Sequence, residues 1–328
     1  MEGGGLMEPR YDSVLMVGFG GPTKGCCRRY EDCPGEAFCF VKGIVGDRSG
    51  GEERIREVAE HYGHFGGVSP FSFFSQKQAG ALEMEIERSG LRVPVFVGYR
   101  FWTPYIKEAL EEMHRRGLRR SLGIALAPHR SKVSFEAYRS EVEAGREALG
   151  GAAPEVTFSE TAWFEDPGFI EATAGRVREL EAEMGEARFR AAHLIFSAHS
   201  IPVPMAKASP YAEQFQATVK KAARALGRER YFFGYQSSPD VLPGSWLEPD
   251  VLDVVKQAAA EGAKDVILIP VGFICDHIEV LFDLDVEAKE TAEECGMGFF
   301  RAGTVASHPR FISMLQGIVA AHMAGEPG

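Results

Sequence analysis

Apolar residues in this chain gather in short unbroken runs rather than alternating with polar ones. The runs are rich in β-branched and aromatic side chains and read as strands. In the first half they are Val14–Gly20, Val93–Arg100, Leu122–Pro128 and Glu155–Trp163. In the second half they are His193–Ser200, Tyr231–Gln236, Asp265–Gly272 and Gly298–Ala302. A strand that is apolar throughout is covered on both faces, which is the condition of a parallel sheet between helices.

The stretches between the runs carry helix signals. Thr103-Pro104, Asp166-Pro167 and Ser209-Pro210 each pair a capping oxygen with a proline suited to the first helical position. The helices they open are expected to end before Gly117, near Gly185 and at Gly227, and Pro249 and Pro309 mark two further starts. Strand and helix alternate throughout, so the expected class is α/β with two Rossmann-like domains, each holding a four-stranded parallel sheet. Leu126-Ala127-Pro128-His129 and Ser197-Ala198-His199 both end strands, and we read them as matching parts of a duplicated unit. The boundary falls after Trp163, giving domains 1–163 and 164–328. In such sheets ligands bind beyond the carboxyl ends of the strands, so two facing domains place a cleft there.

Composition narrows the partners. At 328 residues the chain suits two ordinary domains. A net charge of −11 argues against nucleic acid, whose phosphates need clustered Lys and Arg, and against docking on anionic lipid. No run approaches the roughly 20 apolar residues of a transmembrane span. Met1–Arg10 is Gly-rich, reads as a disordered tip and lacks an apolar signal core, so a cytoplasmic location is expected. Cys26, Cys27, Cys33 and Cys39 crowd into the segment 24–40. In a reducing compartment such clustering suggests a metal or cluster site before disulfides.

Two segments carry candidate chemistry. In Phe196-Ser197-Ala198-His199-Ser200-Ile201-Pro202 an apolar strand delivers His199 to its carboxyl end. A histidine there is suited to metal binding or proton transfer near neutral pH, although spacing alone favours a capped core histidine. Downstream, Glu279, Asp283 and Glu287 recur every four residues and share one helix face, with Asp276 or a neighbour as the cap. Aligned carboxylates repel one another, so the row is either a solvated face or a path for a hard cation.

Taken together, these segments are recognisable. The run Phe196–Pro202 followed by Pro270–Lys289 resembles the two signature regions of the ferrochelatase family. Val17-Gly18-Phe19-Gly20-Gly21-Pro22, Phe65-Gly66-Gly67-Val68-Ser69-Pro70, Leu126–His129, Gly234-Tyr235-Gln236-Ser237 and Trp246-Leu247-Glu248-Pro249-Asp250 extend the resemblance in order and spacing. It implies two Rossmann-like domains around a porphyrin cleft. It also implies that His199 and Glu279 face each other across the macrocycle as metal-contacting catalytic groups. Asp283 and Glu287 continue as an acidic row, often on a helix widened into a π turn. Ferrous iron is then the substrate metal and a porphyrin the organic partner. The cleft-side neighbourhood implies substrate contacts from Phe71, with Phe73 and Phe74 beside it, from Trp102, and from Arg100 and Arg130 toward propionates.

The sequence departs from the family pattern at Phe19, at Phe101, where some relatives carry histidine, and in its cysteines. Phe19 stands where some relatives carry a tyrosine that contacts iron. Several members hold a [2Fe-2S] cluster on four cysteines near the C-terminus; here Cys26, Cys27, Cys33 and Cys39 are expected to supply such a site instead, with structural zinc or plain thiols as alternatives. The wording of the second signature is closest to the soluble, monomeric Gram-positive type, which implies coproporphyrin III as substrate. Protoporphyrin IX is the rival. A cobalt or nickel chelatase, usually built on paired histidines, and a non-catalytic heme or porphyrin carrier, which needs no acidic row, are the competing readings.

Overall fold

The computed structural model describes residues 10–25, 33–46, 51–238 and 244–325. The expected four-plus-four arrangement is present. The first sheet holds β1 (Ser13–Gly18), β2 (Val95–Tyr99), β3 (Arg120–Ala125) and β4 (Glu155–Phe158) in the order β2-β1-β3-β4. The second holds β5 (His193–His199), β6 (Phe232–Gln236), β7 (Asp265–Ile269) and β8 (Gly298–Arg301) in the order β6-β5-β7-β8. All neighbours pair in parallel. Successive side chains of a strand point to opposite faces. Val14 and Met16 accordingly enter one core and Leu15 and Val17 another, on the far side of the sheet. Leu194, Phe196 and Ala198 of β5 are likewise separated from Ile195.

The shared strand order corrects one expectation. By position in the sheet β5 corresponds to β1 and β7 to β3. His199 therefore matches the end of β1, beside Phe19, and His129 matches the end of β7. The two Ala-His groups are not equivalent, because each lies on a different strand of its unit.

In the first half the helices are α1 (Glu36–Val45), α2 (Gly51–Gly63), α3 (Phe71–Arg88), α4 (Ile106–Arg115) and α5 (Ala137–Ala148). In the second they are α6 (Pro167–Arg178), α7 (Glu181–Met184), α8 (Glu186–Ala191), α9 (Val203–Lys207), α10 (Tyr211–Ala225), α11 (Val251–Ala260), α12 (Ile278–Phe282), α13 (Lys289–Glu294) and α14 (Pro309–Ala324). Asp166 caps α6 as expected, accepting the Gly168 N–H at 2.7 Å with Pro167 at the first position. Elsewhere the cap differs. Tyr105 is the N-cap of α4, and Glu108 reaches back to its N–H at 2.8 Å while Thr103 Oγ1 donates to Glu108 at 2.9 Å. Ser209 turns its hydroxyl back to the Met205 carbonyl, leaving Pro210 at the start of α10. The helix opened by Pro167 breaks after Arg178 and resumes as α7 up to Gly185.

The last helix returns to the first half. α14 packs on both α3 and α6. Phe311, Leu315 and Val319 share one core with Leu82 and Ile86 of α3, Phe169 and Ala172 of α6, and Val14 and Met16 of β1. Polar contacts also join the halves: Gln78 Nε2 donates to the carbonyls of Ile274 (3.2 Å) and Ala306 (2.8 Å). His129 is fully buried against Thr218, with Nε2 and Oγ1 3.0 Å apart. Burial pushes its pKa down to about 3, so it stays neutral. A smaller cluster joins α1 and α2 to Trp102 and to Ile278 of α12. Among the described residues no helix is long and apolar enough to cross a membrane.

Candidate active site

His199 is the last residue of β5, and its ladder partner on β6 is Gln236. After β7 the chain runs through Gly272 and a short loop into α12, which carries Glu279 in its first turn. Gly272 has a steric reason: a Cβ there would lie 2.6 Å from Ala198 Cα. The backbones of the two segments therefore approach closely, and His199 Nε2 comes within 3.4 Å of Glu279 Oε2. About a third of each side chain reaches solvent, 31% and 38% respectively, so the pair is open to a ligand. Nδ1 of His199 lies against the Ser200 carbonyl, which fixes the ring and leaves Nε2 for the carboxylate.

A ring between two groups needs roughly 7 Å, two van der Waals separations of about 3.5 Å. The expectation that a macrocycle separates His199 from Glu279 is thus corrected: they touch and occupy one side of the site. Burial works against charge on both groups, yet their mutual hydrogen bond and attraction win. The His199 pKa is raised, and that of Glu279 is held down to about 2 with help from the nearby His277. The contact therefore favours an imidazolium paired with a carboxylate.

The acidic row continues as the periodicity predicts. α12 passes into a π turn at Asp283–Ala288. A step of four residues overshoots an α turn by about 40°, whereas in the wider π turn it falls short. Glu279 to Asp283 to Glu287 therefore stays nearly in line. Exposure grows along it, from half-buried Glu279 and Asp283 to exposed Glu287. Burial and the Glu279 charge raise the Asp283 pKa to about 7, against a hydrogen bond from Ser237. Burial, with Asp250 and Glu290 nearby, also raises that of Glu287.

Several site residues were not singled out from the sequence. Gln236 Nε2 donates to the Glu279 carbonyl and to Asp283 Oδ2, both at 3.2 Å, while its own oxygen accepts from Ser197 Oγ at 3.1 Å. Ser237 Oγ bonds the same Oδ2. Ser237 sits at φ 60°, a left-handed conformation of the strained kind that clusters at functional sites. The available signal was the strand pairing, which seats Gln236 beside His199. Tyr62 of α2 is buried, and burial plus the charges of Glu279 and Asp283 raise its pKa well above the ordinary value. His277 rather than Asp276 occupies the N-cap of α12, without a side-chain cap bond, because Asp276 is drawn to Arg301.

The expected substrate contacts fall in different places. Phe19 is half-buried between Phe40 and Phe101, its ring 4.7 Å from that of Phe101. Phe71 is buried beside Tyr99 and His277, and Phe73 is exposed. Trp102 is 1% exposed and donates Nε1–H to Thr23 at 2.9 Å, a core position rather than a cleft wall. Arg100 lies 3.4 Å from Glu141, and Arg130 lies 2.9 Å from Glu136 and 2.6 Å from Glu160, so both guanidinium groups are already engaged. Cys26 and Cys27 lie outside the described residues. Cys33 is exposed, Cys39 is buried, and their sulfurs are 3.6 Å apart. Among the described residues no three His, Cys, Asp or Glu side chains gather as a metal cage.

The family model described as Ferrochelatase matches residues 47–323. The coproporphyrin III ferrochelatase of Mycolicibacterium smegmatis is 35% identical over 320 residues, covering 97% of this chain and 91% of its own. That of Anoxybacillus flavithermus is 34% identical over 324 residues, covering 98% and 99%. The ferrochelatase of Rhodopirellula baltica is 35% identical over 312 residues, covering 95% and 86%. Among solved structures, SirB from Bacillus subtilis with Fe3+ superposes with a TM-score of 0.58 at 9% identity, over 95% of this chain and 96% of its own. That likeness concerns the fold alone. Because the sequence match runs through both sheets and takes in His199 and the acidic row, the chain belongs to the ferrochelatase family.

Proposed function

We propose that this protein inserts ferrous iron into coproporphyrin III as a step of heme synthesis, working in the cytoplasm as a monomer whose two units, 1–163 and 164–328, flank the cleft. The observation that carries the reading is the His199–Glu279 contact of 3.4 Å at the head of an acidic row that ends in solvent. Iron(II) and the free porphyrin give the iron porphyrin (coproheme from coproporphyrin III) and two protons, so the site has to hold a divalent cation and dispose of the two pyrrole protons. Nε2 of His199 and Oε2 of Glu279 are the ligands. Iron binding displaces the imidazolium proton, since only neutral imidazole ligates. Glu279 supplies the negative charge, and as iron passes to the porphyrin the vacated Nε2 of His199 takes a pyrrole proton. Asp283, with its pKa near 7, and Glu287 pass protons outward. A cleft that fits the puckered porphyrin better than the flat one lowers the barrier to insertion.

Phe71 and Phe19 border the porphyrin side, and Arg100 and Arg130 meet propionates after releasing their present carboxylate partners. Coproporphyrin is favoured because several of the matched relatives carry that name. To the cysteine segment we assign a [2Fe-2S] cluster, which Cys26, Cys27, Cys33 and Cys39 would hold. The 3.6 Å between the Cys33 and Cys39 sulfurs matches two thiolates on one tetrahedral metal, about 3.8 Å apart for bonds of about 2.3 Å. Such a cluster would supply a structural or redox-sensing group, and no step of iron insertion is routed through it.

The test mixes the protein anaerobically with ferrous iron and either coproporphyrin III or protoporphyrin IX and follows the visible spectrum. Faster iron insertion into coproporphyrin is expected. A Glu279→Ala enzyme that inserts iron at the normal rate refutes the site assignment. Iron and sulfide analysis of the purified protein, with loss of colour in Cys33→Ser, checks the cluster.

A further inference from the structure

Arg301 ends β8, the edge strand of the second sheet, and only 13% of its side chain reaches solvent. Its Nη1 lies 3.2 Å from Asp276 Oδ1 and its Nη2 3.4 Å from Asp276 Oδ2. Its Nε lies 2.5 Å from Asp285 Oδ1. Asp276 immediately precedes His277, the N-cap of α12, and Asp285 lies in the π turn between Asp283 and Glu287. One guanidinium thus grips both ends of the segment from which Glu279 and Asp283 project.

The segment has reason to need a grip. A π turn is a rare helix form, used mostly in single turns at functional sites. The aligned carboxylates also repel one another. Residues two apart on a helix do not share a face, so Asp285 takes the cation without drawing it into the row. At the other end Gln78 holds the Ile274 carbonyl from α3, and the Ala306 N–H donates to that same carbonyl at 2.8 Å. The loop 273–277 is then fixed from two sides, with Arg301 the part that reaches into the π turn.

We propose that Arg301 is a positioning residue for iron insertion: it sets the placement of the Glu279–Asp283–Glu287 row against His199 while touching neither metal nor porphyrin. This rests on the iron-insertion reading above. A planar fork is required because a lysine nitrogen cannot span both carboxylates.

The test uses the full chain with Arg301→Lys and Asp285→Asn, beside the unsubstituted protein, and the porphyrin that the latter turns over. Both variants are expected to unfold in one transition and to keep KM for porphyrin within about twofold. Their kcat should fall about tenfold or more, the signature of misplaced reacting groups rather than weakened binding. A kcat within about twofold of the parent in both variants, or a loss confined to KM, overturns the proposal. Should Arg301→Lys fail to fold, Asp285→Asn decides alone, since it leaves Arg301 paired with Asp276. Should the unsubstituted protein metallate no porphyrin, the functional reading fails and the clamp falls with it; an active parent with unaffected variants sinks the clamp alone.

Discussion

Replacing Asp283 by asparagine probes the acidic row where it is most perturbed. Ser237 Oγ and Gln236 Nε2 both donate to one carboxylate oxygen, Oδ2. An amide oxygen can take the same place, so the exchange preserves shape. In the folded protein burial, reinforced by the Glu279 charge, raises the Asp283 pKa from 3.8 to about 7. A carboxyl that keeps its proton when folded and loses it when unfolded destabilises the native state as pH rises between those two values. At about 1.4 kcal/mol per pH unit over roughly three units, the full effect is about 4 kcal/mol. Partial solvent access reduces this to about 2 kcal/mol. Asparagine carries no such dependence. Asp283→Asn should therefore be more stable than the parent by about 2 kcal/mol near pH 8, with the advantage fading as pH falls to about 4. Urea unfolding of both proteins across that range measures it, and the contributions of His199 and Glu279 largely cancel in the difference. A difference that is flat with pH, or that grows toward acid, refutes the reasoning. The same variant should lose iron-insertion rate by about tenfold or more, because an amide carries no exchangeable acid proton.

Further outcomes follow from neighbouring contacts. Glu279→Gln removes the charge that raises the His199 pKa; an NMR titration should show the His199 midpoint fall, and an unmoved midpoint would mean the pair does not form in solution. In the parent, the His199 contribution to stability is fully present below about pH 6.5 and is lost as pH rises through the raised value. Gly272→Ala forces a Cβ to 2.6 Å from Ala198 Cα and should cost about 1–3 kcal/mol in denaturant unfolding; an unchanged midpoint contradicts the close approach. Trp102→Phe gives up the Nε1–H bond to Thr23 and should cost about 1 kcal/mol while leaving KM for porphyrin unchanged, as befits a core side chain.

The strands and the site pair were legible because both are local signals. β1 and β7 are buried from end to end and β5 everywhere but its two terminal histidines, and unbroken apolar runs mark that state. The acidic spacing is itself the geometry of the row. What escaped depended on distant partners. Asp276 looks like a helix cap in sequence, but Arg301, 25 residues further on, takes it instead. Thr103-Pro104 has the form of a helix start, yet Glu108 moves the cap to Tyr105. The two Ala-His groups look alike locally, and only strand order separates His129, paired with Thr218, from His199. Trp102 carries no mark that distinguishes a buried indole from one lining a cleft.

The return of α14 onto α3 has a bearing on how the molecule comes apart. Phe311 and Leu315 fill a space walled by both halves of the chain, so parting the halves opens that core even though each keeps others of its own. Heating or denaturant should then melt the protein in one cooperative event, and nicking the polypeptide near residue 164 should leave two fragments that stay bound until both unfold together.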